Sequence, residues 1–194
     1  AAGRIGSSDI GVSLLISKDI NKANELASKL YQLNEKRKKL TNNFILEAIG
    51  MVESEKNKIG KLPDFLFLVA ENWNEGIIGI LAGKIKEKYN RPCCVISLGQ
   101  KYSKGSARSI INIPIGEYIL EALDKKILVK GGGHDLAAGL TIENSKLEKF
   151  KKFLFSKVNK AFQRNELISE MSVTSELSIS ALNSNLMDWI KKLG

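Results

Sequence analysis

The sequence predicts an α/β protein, with a long connector helix ahead of a mixed α/β domain and the opening of a second, β-type unit at the end. Three observations carry that prediction. Apolar residues recur at helical spacing between residues 20 and 52, with no proline and no glycine before Gly50. Two continuous apolar runs, residues 65–70 and 92–98, bracket an amphipathic stretch, the pattern of a strand–helix–strand unit with parallel strands. Near the end, Met171, Val173, Ser175, Leu177 and Ile179 alternate with polar residues, as in a half-exposed strand.

In chain order, Ser8 or Asp9 caps a short helix ending at Ile16. Asp19 is the N-cap of the long helix, whose buried side uses Ile20, Ala23, Leu26, Ala27, Leu30, Leu33, Leu40, Phe44, Ala48 and Val52. That is a rod of about 50 Å, a length that bridges two bodies. Glu35, Lys36, Arg37, Lys38 and Lys39 form its solvated face. After the first strand, Asn74 caps a helix over about 75–89, with Ile77, Ile78, Leu81 and Ile85 facing the core. Gly76, Gly79 and Gly83 line one side of it. Each costs up to about 1 kcal/mol in a helix, so close packing on the sheet is expected there, with ligand approach near Gly76 the second reading. Residues 104–110 read as extended, 115–123 as a short helix, and 140–142 as a strand. A helix from about Ser145 uses Leu147, Phe150, Phe153, Leu154, Val158 and Phe162; a final one uses Leu182, Leu186, Trp189 and Ile190.

Composition narrows the function classes. The 194 residues are 43% hydrophobic and 26% charged, values of a globular chain rather than a disordered one. The net charge of +9 favours an anionic partner, nucleic acid first, although a lysine-rich proteome gives the same balance. No stretch approaches the ~18 apolar residues of a membrane span and no secretory signal is present, so a cytoplasmic protein without membrane contact is expected. Cys93 and Cys94 are adjacent, without zinc-ligand spacing, and read as buried strand residues in a reducing compartment. The chain opens at Ala1-Ala2-Gly3-Arg4 with no initiator methionine, and is expected to be a piece of a longer protein.

The chemistry concentrates in two stretches. Gly131, Gly132 and Gly133 precede His134, the single histidine, and Ala137, Ala138 and Gly139 follow. Glycines able to take positive φ let backbone N–H groups converge on an anion, so a phosphate-gripping loop is expected, with the small residues leaving room. In the second stretch Lys104, Ser106 and Arg108 project from one face with period two, an ammonium, a hydroxyl and a guanidinium suited to phosphate, while Gly105 and Ala107 lie opposite. Between Lys84 and Arg108 there are seven basic residues and one acid. Lys84, Lys86 and Lys88 fit a wet helix face, which leaves Ser106 and Arg108 as the favoured pair.

Gly-Gly-Gly-His followed by Ala137 and Ala138 resembles the signature of the DHH-associated domain. With Ala1-Ala2-Gly3-Arg4, the long helix, residues 73–80 and residues 104–109, the order of motifs resembles the RecJ-type single-strand-specific exonucleases over nearly the whole chain. That resemblance implies a 5′-to-3′ exonuclease of DNA repair and recombination, using two Mn²⁺ or Mg²⁺ ions held by an upstream domain. No metal ligand is expected in this chain, and the piece alone is expected to be inactive. Arg4 would lie near the scissile phosphate in a supporting role. Ser106, Arg108 and Lys104 would hold the 5′-phosphate or adjacent backbone, and Gly131, Gly132, Gly133, His134, Ala137 and Ala138 would line the same groove. Asn74 stands where such proteins commonly carry histidine; it is a candidate contact without an acid–base role. The implied partners are single-stranded DNA with a 5′ end, a repair helicase and a single-strand-binding protein.

The resemblance also implies three units: a helical linker over 1–60, a nucleic-acid-binding domain over 61–164, and the start of an oligonucleotide-binding barrel over 165–194. Two other readings stay open: a stand-alone single-strand-binding module with Trp73 or Tyr102 as stacking platforms, and a small DHH phosphodiesterase acting on short oligonucleotides. The C-terminal domain of alanyl-tRNA synthetase shares the glycine stretch but leaves the connector helix unexplained.

Overall fold

The computed structural model describes residues 2–164 and 176–193. A short helix α1 (Ala2–Ile5) and α2 (Asp9–Ile16) lead into α3 (Ile20–Ile59), 40 residues and about 60 Å long. The Asp19 carboxylate accepts from the Asn21 and Lys22 amides and starts α3 as expected; Gly60, at φ 79°, ends it. At α2 the side chain that meets the first-turn amides belongs to Ser7, whose hydroxyl accepts from Asp9 N at 3.2 Å; the Ser8 side chain caps nothing.

Five strands follow: β1 (Leu66–Ala70), β2 (Cys93–Ser97), β3 (Tyr102–Arg108), β4 (Lys130–His134) and β5 (Ala137–Glu143). Between them lie α4 (Ile78–Tyr89) and α5 (Ile115–Asp124), and α6 (Leu147–Arg164) closes the domain. The sheet order is β1-β2-β3-β5-β4, with β1 and β2 parallel around α4 and the other pairs antiparallel.

Alternation along each strand sends neighbouring residues to opposite faces and builds two cores. On one face, Leu66, Leu68, Cys93 and Val95 pack under α4 and under the second half of α3, through Phe44, Ala48 and Val52. On the other, Phe65, Phe67, Ile96, Ala107, Leu140 and Ile142 pack under Ile115 and Ile119 of α5 and Phe150 and Leu154 of α6. Phe65 meets Phe155 edge-on at 5.4 Å, and Phe67 meets Phe150 at 6.1 Å. The long helix is therefore a rod for its first half and a core element for its second.

Several expectations are corrected. The three glycines form no phosphate-cradling loop: they are strand β4, and Gly60 is the one glycine with positive φ among the described residues. Their role lies in missing side chains. A Cβ on Gly131 would come within 2.7 Å of Ile119 Cγ2, and one on Gly133 within 2.3 Å of the Ala137 carbonyl oxygen, whereas one on Gly132 would meet open space. Trp73 is no stacking platform: it is buried, and its indole N–H donates to Glu47 at 2.8 Å. Of the expected terminal strand, residues 171–175 lie outside the described residues. Leu177 is in an irregular segment and Ile179 opens a 3-10 turn (Ile179–Ala181), followed by α7 (Ser184–Leu193). No described residue beyond Glu143 is in a strand, so the opening of a barrel is not seen among them.

Gly133→Ala is expected to destabilise the fold by about 1–3 kcal/mol through overlap with β5, while Gly132→Ala leaves it unchanged or raises it by up to about 1 kcal/mol; thermal unfolding of the two variants measures the contrast. A second expectation concerns alkaline pH. Burial pushes the Cys93 thiol from 9.0 up to about 12, and burial followed by the Glu53 hydrogen bond pushes the Tyr89 phenol from 10.0 up to about 12. The unfolded chain therefore loses these protons first as pH rises, so stability is intact below about pH 9 and declines from there towards pH 12. The unfolding midpoint should fall across that window, Tyr89→Phe should flatten part of the fall, and both cysteines should resist a thiol reagent until the protein is unfolded.

Candidate nucleic-acid interface

The register of β3, β5 and β4 sets out three cross-strand rungs on one face of the sheet. Lys104 pairs with Thr141, and Thr141 with Lys130; Ser106 pairs with Gly139, and Gly139 with Gly132; Arg108 pairs with Ala137, and Ala137 with His134. All nine residues share the face that carries α4, because their positions share parity along each strand. α4 lies over β2 and β3, and α3 over β1, which leaves β5 and β4 open on this face among the described residues. The uncovered strip is the floor of an open cleft of about 900 Å³.

One wall of the cleft comes from the start of α4 and from α1. The expected cap, Asn74, does not cap α4, whose N-cap is Ile77 without a side-chain bond; one turn ahead of it, the Asn74 side chain accepts from Gly76 N at 2.9 Å and holds the turn that leads into the helix. A Cβ on Gly76 would fall 1.9 Å from the Arg4 carbonyl oxygen, so glycine there lets the N-terminal segment lie directly on the domain. The Arg4 guanidinium returns the contact by donating to Gly76 O at 3.0 Å. At Gly79 the missing side chain leaves room for Ser106 Oγ and Arg108 Nη2, which would sit 3.5 and 3.7 Å from a Cβ. Close approach thus explains Gly76, and by the chain's own atoms; at Gly79 a Cβ would make ordinary contact, and on Gly83 it meets nothing.

Arg108 is half-buried, and its Nη1 donates to the Ala107 carbonyl at 3.0 Å and, more weakly, to Ser106 Oγ at 3.4 Å. Lys104 Nζ donates to Thr141 Oγ1 at 3.1 Å. Among the described residues, neither these two nor Arg4 nor Lys130 takes part in an ion pair, although Lys84 pairs with Glu87 and Lys125 and Lys157 both pair with Glu121. Among the described residues, Glu75 is the single carboxylate lining the cleft, against Arg4, Lys104 and Lys130 in the lining and Arg108 one rung beyond. The result is a concave strip of positive potential.

His134 is exposed at the end of β4, beyond the residues that line the cleft, with its imidazole free of hydrogen bonds among the described residues; its main chain packs on α5, where a Cβ at Gly116 would fall 2.7 Å from His134 O. Two strand spacings, about 10 Å, separate it from Arg108 on the same face. Ala138 does not line the groove: it is 5% exposed and belongs to the opposite core. Gly131 and Gly133 likewise turn their missing side chains away, although the Gly131 main chain lines the cleft. Gly139 leaves room in the floor as expected, whereas Lys130 and Thr141 were missed by the sequence reading; the signal for Lys130 was there, since counting back by twos from His134 through Gly132 reaches it. The floor suits no divalent ion, which needs several oxygen donors, and among the described residues no three His, Cys, Asp or Glu side chains cluster for one. No helix of the described residues is long and apolar enough to cross a membrane.

Known proteins resemble this chain in sequence and in fold. The chain is 33% identical, over its whole length, to the single-stranded-DNA-specific exonuclease RecJ of Haemophilus influenzae, covering 34% of that protein. It is 38% identical to the RecJ of Bacillus subtilis, over 74% of this chain and 18% of that one. The Mg²⁺ complex of RecJ from Thermus thermophilus superposes with a TM-score of 0.71 at 26% identity, covering 82% of this chain and 24% of that one. The chain thus spans about a third, or less, of the curated relatives it matches. The DHHA1 domain profile matches residues 63–163, the span that holds the sheet, α4 and the cleft floor, and the chain belongs to the DHHA1 domain family.

Proposed function

We propose that this chain is the substrate-gripping portion of a RecJ-like 5′-to-3′ exonuclease, binding single-stranded DNA by its backbone while metal ligands elsewhere in the parent protein carry out hydrolysis. The observation that carries this reading is the cleft floor itself: cations without carboxylate partners among the described residues flank a strip where Gly132 and Gly139 leave open space. Cations left unpaired by the fold are free to neutralise phosphates, and a floor without side chains lets a sugar–phosphate chain lie close.

Within this reading each residue has a physical task. Arg108 presents a planar guanidinium, with Ser106 beside it as a hydroxyl donor, to a terminal or bridging phosphate. Lys104 adds a point charge further along β3. Arg4, reaching across from α1, closes the cleft and supports the phosphate nearest the reacting bond. His134 and the start of β5 at Ala137 bound the groove on the β4 side, and Asn74 holds the turn that shapes its wall. When bound in the parent protein, two Mn²⁺ or Mg²⁺ ions supply the activated water and stabilise the leaving oxygen. The residues of this chain orient the phosphate; among the described residues no cluster of His, Cys, Asp or Glu side chains offers those ions a site. The comparison structures with Mg²⁺ or Mn²⁺ support that division, since they are RecJ proteins of greater length than this chain. Residues 61–164 are the binding unit in this reading, residues 1–60 connect it to the catalytic part, and residues 165–194 lead into an oligonucleotide-binding unit. In the cell a helicase would expose the strand and a single-strand-binding protein would hold it, in DNA repair and recombination.

Arg108→Ala is expected to weaken binding of a 5′-phosphorylated single strand about tenfold, and of the 5′-hydroxyl strand far less; fluorescence anisotropy on both strands measures it. Equal losses would leave a general backbone contact and remove recognition of the end. Gly132→Val supplies the complementary test: it should fold with an unchanged midpoint yet lose about tenfold in single-strand affinity, because its side chain fills the trough and nothing else.

A further inference from the structure

We infer that Lys130, with Lys104 across Thr141, forms a second backbone subsite, one that holds an internal phosphodiester of the strand whose end lies at Arg108. The inference rests on reading the cleft as a single-strand groove and extends it to a residue that reading leaves without a task. Lys104 and Lys130 stand on β3 and β4 with Thr141 of β5 between them, all on the cleft face. Two strand spacings put their Cα atoms about 10 Å apart, so two lysine side chains leaning inward converge above the Thr141 hydroxyl. Lys104 already leans that way, with its ammonium on Thr141 Oγ1 at 3.1 Å.

Neither ammonium has a carboxylate partner among the described residues, and both line the same cleft. The chemistry that matches two ammonium groups and a hydroxyl on a shared floor is a singly charged, non-bridging pair of phosphate oxygens, the repeating unit of a polynucleotide. A metal or a carboxylic metabolite would call for enclosure or for a planar fork, and this open, lysine-based rung offers neither.

Spacing separates this rung from the one at Arg108. The two are four residues apart along β3, about 13–14 Å. A stacked strand places one phosphate per ~3.4 Å and an extended strand fewer, so the two rungs touch phosphates about two to four nucleotides apart. Between them the rung of Ser106, Gly139 and Gly132 has no side chain that blocks passage, since a Cβ on either glycine would meet open space. The subsite therefore contributes to long strands and is beyond the reach of the shortest.

Lys130→Gln separates the possibilities, with Lys130→Arg as the variant that keeps the charge. The probes are a 5′-phosphorylated dinucleotide and a 5′-phosphorylated oligothymidylate of about eight nucleotides. The expected result is a loss of about fivefold on the longer strand, a fall of about 0.7 in the slope of log affinity against log salt, an unchanged dinucleotide affinity, and recovery in Lys130→Arg. Should Lys130→Gln leave the longer strand unaffected while Arg108→Ala weakens both probes, the subsite is wrong and the groove stands. Equal loss on both probes would make Lys130 a diffuse charge and also overturns the subsite. If the unaltered chain binds neither probe, groove and subsite fall together.

Discussion

The hydrogen-bonded register between β3 and β5 is the constraint on which the rest depends. Side chains alternate with a period of two, so a shift of one residue would send Lys104, Ser106 and Arg108 into the aromatic core and bring Gly105 and Ala107 to the surface. Both cores hold that register. Ala107, Leu140 and Ile142 are buried on one side, and Cys93 and Val95 of the neighbouring strand are buried on the other. Burying one such side chain contributes about 1.5–3 kcal/mol, so several of them together far outweigh any gain from an alternative pairing. The cleft is thus positioned by side chains packed into the two cores.

Coverage of the sheet divides stability from recognition. On the α5 and α6 face, aliphatic and aromatic side chains fill the space beneath the helices. On the α4 face the helices of the described residues reach only as far as β3, and none of them lies above the strip beyond. That uncovered strip carries glycine, alanine, serine and threonine between its cations, residues with little apolar area to lose to water. Solvent exposure there is inexpensive, and the potential of the unpaired cations remains available to a ligand.

Much of this was legible in the sequence where a signal is local. The period-two row through Lys104, Ser106 and Arg108, the parallel pair around α4, and the Asp19 cap each follow from spacing over a few residues. What failed depended on partners far along the chain. The glycine run favours a turn by propensity, and only pairing with β5 makes it a strand. Trp73 looks like a platform until Glu47, 26 residues upstream, takes its N–H. Ala137 and Ala138 are the same residue type, and only the register decides that one faces the groove and the other the core. The long helix shows one apolar pattern from end to end, although Ile20 is exposed and Val52 is buried.

That helix also separates two boundaries usually treated as one. The family profile begins at residue 63, after α3 has ended. Yet Phe44, Ala48 and Val52 sit on the same buried layer as Leu66, Leu68 and Ile85. A polypeptide started at β1 would keep every strand of the sheet while stripping the roof from half of its interior, and a sticky hydrocarbon wall would face water. The inherited module and the autonomous folding unit differ by about five helical turns, and it is the larger of the two that evolution has to transplant.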